Sequence, residues 1–225
     1  MLPLILGSCV GPVEKQVVEP SAPTNEPGLQ IRHDYIESAK IARIARFRSA
    51  IGHDFSDEIE TCRSMKHYFE PRADIEPAGI CLFAPVAGRI AYIETEWAGD
   101  KVEIESRAWP GYRIQIFHVV LEPGLAEGST LEAGQALGHH IGPQTMSDIA
   151  ILDAREGRRW VSYFEHLDAA VMAGYRARGL ADSSDAIIPR EERERWPLDC
   201  VAEHGAFGSI APEAGAPADW FVFLD

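Results

Sequence analysis

No apolar run in this 225-residue chain approaches the roughly twenty residues that a helix needs to cross a bilayer, so the body of the protein is expected to be globular and water-soluble. Basic residues are scarce. Twenty-one Lys and Arg stand against thirty-five Asp and Glu, a net charge of −14. Such a chain repels polyphosphate backbones and has no counterion release to offer, which excludes nucleic acid as an expected partner. With 46% apolar residues, the chain has enough material for one sizeable core plus appendages.

A positively charged leader is also missing, yet the first nine residues read as the end of a secretion signal. Leu6-Gly7-Ser8-Cys9 resembles a bacterial lipobox, which implies a diacylglycerol on Cys9 and a lipid-anchored place in the cell envelope, periplasmic or at the outer membrane. The alternative is an apolar N-terminus without a role. Residues 10–28 contain four prolines among Ser, Thr, Asn and Glu, with no helical or alternating period. They read as a tether, because they bury too little apolar surface to offset chain entropy. If Cys9 is lipidated, Cys62, Cys81 and Cys200 remain, room for one internal disulfide. Ile80-Cys81-Leu82-Phe83 reads as a buried strand in which a free thiol behaves as a small hydrophobe, so Cys62–Cys200 is the expected bridge.

Ile36, Ala39, Ile41, Ile44 and Phe47 recur at about three-residue intervals and predict a short helix within His33 to Arg46. Beyond Phe47 the pattern changes to short apolar runs between Gly and Pro: Cys81 to Ala84, Arg89 to Glu94, Lys101 to Glu105, Tyr112 to Leu121 and Asp148 to Leu152. Lys101-Val-Glu-Ile-Glu105 and Arg113-Ile-Gln-Ile-Phe117 alternate with period two, as half-buried strands do. The predicted fold is mainly β and antiparallel. From Trp160, the spacing of Phe164, Leu167, Val171 and Tyr175 predicts an amphipathic helix ended by Gly179. Trp220 to Leu224 is expected to dock as an edge strand after a charged run and an Ala/Gly/Pro-rich loop. The expected divisions are 1–9, 10–28, a β domain at 29–159, and a C-terminal helix with extension at 160–225.

Two glycine turns frame the β domain. Ala84-Pro85-Val86-Ala87-Gly88-Arg89-Ile90 is similar to an A-P-x-x-G-x-V turn, and Gly128-Ser-Thr-Leu-Glu-Ala-Gly134-Gln135-Ala-Leu-Gly138 to a G-x-x-V-x-x-G-Q-x-I-G turn. Between them, Ile116-Phe117-His118-Val119 is similar to a Y-x-H-L strand. In this order the three elements resemble the LytM/lysostaphin-type (M23) zinc endopeptidases, which implies a β domain like the barrel-sandwich hybrids. Biotinyl and lipoyl carrier domains share the turns, but they carry a Lys where this chain reads His139-His140-Ile141-Gly142.

The resemblance implies a zinc held by two His and one Asp, with a fourth position open to the attacking water. The family's H-x-G-x-D matches Ala50-Ile51-Gly52-His53-Asp54, which keeps the Asp and has Ala50 in place of the His. Its H-x-H falls on Met146-Ser147-Asp148-Ile149-Ala150, where neither His is present and Asp148 is the one substitute able to hold a metal. His118 stands where a catalytic His would act. A second alignment, His53-Asp-Phe-Ser-Asp57, has the bare ligand spacing and joins His53 and Asp57 to His118, His139 or His140.

The metal candidates are therefore Asp54, Asp148 and His53, and the catalytic candidate in an active enzyme is His118. His67 and Tyr68, within Ser64 to Phe69, and His139 with His140 are candidates to line a groove for sugar or peptide. Alternatively, His118 is a satisfied core histidine and Asp148 caps a turn or pairs with Arg113. The preferred expectation is a non-hydrolytic envelope lipoprotein without cofactor, binding peptidoglycan, another glycan or an envelope protein such as a cell-wall hydrolase that it regulates. The alternatives are a zinc endopeptidase with an atypical His/Asp site and a structural scaffold.

Overall fold

A computed structural model describes residues 28–155, 157–200, 207 and 215–224. Cys9, and the expected tether apart from Gly28, lie outside the described residues. Eleven strands are present among those described: β1 (Ile41–Ala45), β2 (His67–Pro71), β3 (Cys81–Phe83), β4 (Gly88–Glu96), β5 (Gly99–Ser106), β6 (Tyr112–Leu121), β7 (Thr130–Leu131), β8 (Ala136–His140), β9 (Ser147–Asp153), β10 (Arg159–Val161) and β11 (Trp220–Val222). They join in one sheet in the order β11-β1-β2-β9-β6-β5-β4-β7, with β10 beside β9 and the β3–β8 pair attached to β6. Every ladder is antiparallel. No helix among the described residues is long and apolar enough to cross a membrane.

The expected helix within His33 to Arg46 is instead a 3-10 turn at Ser38–Lys40 followed by β1. The register of β1 against β2 shifts between Ile41 and Arg43, the mark of a bulge. The extra residue turns a two-residue alternation into a three-residue spacing, so Ile41 and Ile44 both reach the core. Isoleucine also favours the strand intrinsically, because its branched Cβ packs well on a pleated surface.

On β2 the side chains of His67 and Phe69 enter the core, while Lys66 and Tyr68 turn to the other face. On β9, Ile149 and Ile151 enter the core while Asp148 faces with Lys66. The core lies between this sheet and a cover that includes Tyr163, Phe164, Met172 and Tyr175. The cover's helix α1 (Ala169–Arg176) is shorter than the expected stripe, because Asp168 caps its N-terminus and accepts from the backbone N–H of Ala170 and Val171. Phe164 belongs to a separate 3-10 turn, Tyr163–His166. Gly179, at φ +94°, follows the helix as expected, and β11 docks on β1 at the edge of the sheet.

A disulfide joins Cys62 to Cys200, with Cα atoms 5.7 Å apart across 138 residues of sequence. Cys81 is disulfide-bonded as well, which corrects the expectation of a free thiol there. The loop carrying Cys62 is fixed from within. Glu60 accepts two bonds from Arg48 and one from Arg63. Those guanidinium groups hold its carboxyl below the ordinary value although burial opposes them.

Candidate functional site

The face of the sheet opposite the core carries a cleft of about 590 Å³ walled by β2, β6, β9, the β4–β5 hairpin and the loop before β2. At its floor, Lys66 Nζ donates to Asp148 Oδ2 at 2.9 Å, and both side chains are buried. Three aromatic rings surround the ammonium, with centroids 3.5 Å (Phe117), 4.3 Å (Phe55) and 5.8 Å (Tyr68) away. Each ring presents its negative face to the cation, a contact worth about 0.5–2 kcal/mol depending on desolvation. The carboxylate and the rings together compensate the charge that burial would otherwise penalise.

His118 enters this floor from an irregular stretch of β6. The β5–β6 register shifts between Asp100 and Val102, and His118 itself has φ +62°. A side chain in that region costs about 1 kcal/mol or more, so the surrounding contacts must hold it there. Nδ1 donates to the carbonyl of Ala98 at 2.9 Å. In the neutral ring that bond leaves the Nε2 lone pair facing Asp148 Oδ1, 3.6 Å away. Asp148 Oδ1 makes no hydrogen bond.

Tyr68 forms part of the wall, its hydroxyl packed against Gly52, where a Cβ would come within 2.2 Å of that oxygen. Burial first, and then the charge of Asp148, push its phenol well above the ordinary value. At the rim, Trp97 occupies the two-residue turn between β4 and β5 and is 80% exposed. Its ring centroid lies 6.4 Å from that of His118.

Of the expected site residues, His118, Asp148, Tyr68 and His53 line this one cleft, His53 from its exposed edge. Asp54 does not join them. Its Oδ1 accepts from Ser56 Oγ at 2.6 Å and from the Arg63 backbone N–H at 3.2 Å, fixing the loop instead. Asp57 is likewise spent on loop backbone, accepting from Ile59, Glu60 and Trp160 N–H groups. The bare-spacing alignment therefore does not assemble a site.

His67 lies on the core face and does not line the groove. It is 1% exposed and bonded to the Ala45 carbonyl and Ser162 Oγ, and burial pushes its pKa down to about 4. His140 lies behind the cleft. It accepts from Gly142 N–H and bonds Thr145 Oγ1, and burial followed by the nearby His118 lowers it to about 4. The His139 ring bonds the neighbouring carbonyl of His140 and lines no part of the cleft. Arg113 pairs with Glu103 and Glu105, so it is Lys66 that partners Asp148.

The residues present do not fit a zinc ion. Among the described residues, no three His, Cys, Asp or Glu side chains gather where one ion could touch them all. An ammonium already neutralises the buried carboxylate of Asp148. β2 is one of the strands hydrogen-bonded to β9, and its Tyr68 lies opposite Asp148. The stretch that reaches the floor is therefore Lys66-His-Tyr-Phe-Glu70, through Lys66, rather than Ala50 to Asp54; its charged residues are four apart as in H-x-G-x-D, though Glu70 pairs with Arg43 and does not line the cleft. That spacing, next to the first glycine turn, was the signal that could have found Lys66. Phe117 and Trp97 carried no motif.

No protein-family model matches the chain, and no curated protein matches it. Among solved structures, it is similar to Csd3 of Helicobacter pylori at 14% identity and a TM-score of 0.46, over 63% of this chain and 34% of that one. A chain of the SpoIIQ–SpoIIIAH pore-forming complex is similar at 11% identity and a TM-score of 0.43, over 64% and 96% of the respective lengths. Lysostaphin is similar at 11% identity and a TM-score of 0.35, over 48% and 45%. The chain spans about a third of the length of Csd3.

Proposed function

We propose that this chain is a non-hydrolytic binding domain on a LytM-like scaffold, acting in the bacterial envelope, where its cleft takes a component of peptidoglycan. The observation that carries the reading is Lys66. Its ammonium sits on Asp148 inside an aromatic cage, so the charge that the family's metal would supply comes from a side chain of the protein. An ammonium offers no open coordination position and does not acidify a bound water as a zinc ion does. What is left is a walled cleft with polar atoms at its floor and an exposed indole at its rim, which is the construction of a binding site. The glycine turns and the His118 strand support descent of the scaffold from the peptidase fold. The Cys62–Cys200 disulfide supports an oxidising compartment such as the cell envelope.

Two measurements test this. Elemental analysis of purified protein is expected to find no stoichiometric zinc, with a melting temperature unmoved by chelator. Stoichiometric zinc lost on changing His118 or Asp148 to Ala would refute the non-hydrolytic reading. Incubation with purified sacculi is expected to retain the protein, and passage without retention would refute the wall-binding one.

A further inference from the structure

With the His118 ring neutral, two hydrogen-bond acceptors face one another at the cleft floor with no donor between them. Asp148 Oδ1 belongs to a fully buried side chain and makes no hydrogen bond. His118 Nε2, 3.6 Å away, is beyond a direct bond, and its lone pair is directed there because Nδ1–H is committed to the Ala98 carbonyl. A buried acceptor left without a partner is costly, so the arrangement calls for a donor from outside.

The charge of that donor follows from its neighbours. Lys66 already neutralises the carboxylate through Oδ2, so a second cation would be repelled by Nζ. An anion would be repelled by the two acceptors. A neutral group with more than one hydroxyl hydrogen satisfies both atoms. The rim adds a second requirement. Trp97 is 80% exposed at the tip of the β4–β5 hairpin. It presents a flat apolar surface beside the His118 ring. A ligand with an apolar face and hydroxyls at its edge matches both features, and a pyranose ring has that form.

We infer that the cleft binds a neutral sugar residue of a glycan, its ring face on Trp97 and two neighbouring hydroxyls donating to Asp148 Oδ1 and His118 Nε2. This rests on the wall-binding reading above and specifies which part of the polymer enters. The probe is chitotetraose, titrated into the full chain and followed by calorimetry and by chemical-shift changes at the indole N–H of Trp97. Binding is expected. Trp97→Ala should weaken it about tenfold or more, with an unchanged melting temperature because the side chain is exposed, and Trp97→Phe should restore much of the loss. Binding that ignores Trp97→Ala overturns the assignment. If chitotetraose fails to bind while sacculi or a soluble stem peptide do, the sugar inference falls and the wall-binding reading stands. If sacculi are not retained either, both fall.

Discussion

A lysine ammonium tolerates burial only where its charge is answered, and around Lys66 the answers come from Asp148 and the rings of Phe117, Phe55 and Tyr68. Truncating Lys66 to Ala would leave Asp148 buried and uncompensated, so urea unfolding of that variant should show a loss of about 3–5 kcal/mol. Replacing both members, Lys66→Met with Asp148→Leu, should recover most of it. A double variant as unstable as the single one would show that the pair itself, rather than the orphaned carboxylate, sets the cost. Histidine burial has a different signature. His67 and His140 are lowered to about 4 in the fold, against an ordinary 6.5. Between those values the unfolded chain binds protons that the folded chain refuses, so stability is complete above pH 6.5 and falls as the pH drops toward 4. Unfolding midpoints measured from pH 7 down to about 5 should therefore decrease, in a range above the ordinary values of 4.5 and 3.8 for Glu60 and Asp153. A flat profile there would contradict the neutral burial of both rings.

At the scale of the element, the irregular stretch of β6 turns a strand position into a site position. With φ at +62°, His118 occupies backbone that glycine adopts without cost and alanine does not. His118→Gly should therefore be more stable than His118→Ala, by about 1 kcal/mol in chemical denaturation. The reverse order would mean that the backbone relaxes once the imidazole is gone. Bulges also mark the limit of what sequence pattern discloses. Lys101 to Glu105 is legible because its alternation is unbroken, with Val102 and Ile104 buried between half-buried neighbours. Ile41 to Phe47 was not, because one extra residue on β1 mimics a helical spacing. The candidate site was half legible for a related reason. His118 and Asp148 sit on strands next to recognisable glycine turns. Asp54 matches the motif, while strand pairing, which sequence does not display, brings Lys66 to Asp148 instead.

For the whole molecule, long-range connections decide stability. The Cys62–Cys200 bridge closes a loop spanning 138 residues and ties the C-terminal part to the loop beside the cleft. Removing both sulfurs, Cys62→Ser with Cys200→Ser, releases that constraint from the unfolded chain and should lower stability by about 3–5 kcal/mol, read as a drop in the denaturation midpoint without reductant. An unchanged midpoint would show that the α2 helix (Arg190–Arg195) and the ion pair from Arg193 to Asp219 hold this region unaided. The cysteine count makes this tie legible in sequence, whereas the Arg193–Asp219 pair, whose partners no periodicity joins, is not.

The pairing of β1 with β11 carries a consequence in time. Arg43 and Ile44 are hydrogen-bonded in register with Val222 and Phe221, and the Arg43 guanidinium lies 4.2 Å over the Trp220 ring. A ribosome makes β11 about 180 residues after β1, so over that stretch of synthesis the nascent chain presents β1 with one side unpaired. Folding of this sheet edge must wait until β11 has been made, and an export or chaperone system that engages the chain before then would meet an extended, adhesive segment rather than a finished edge.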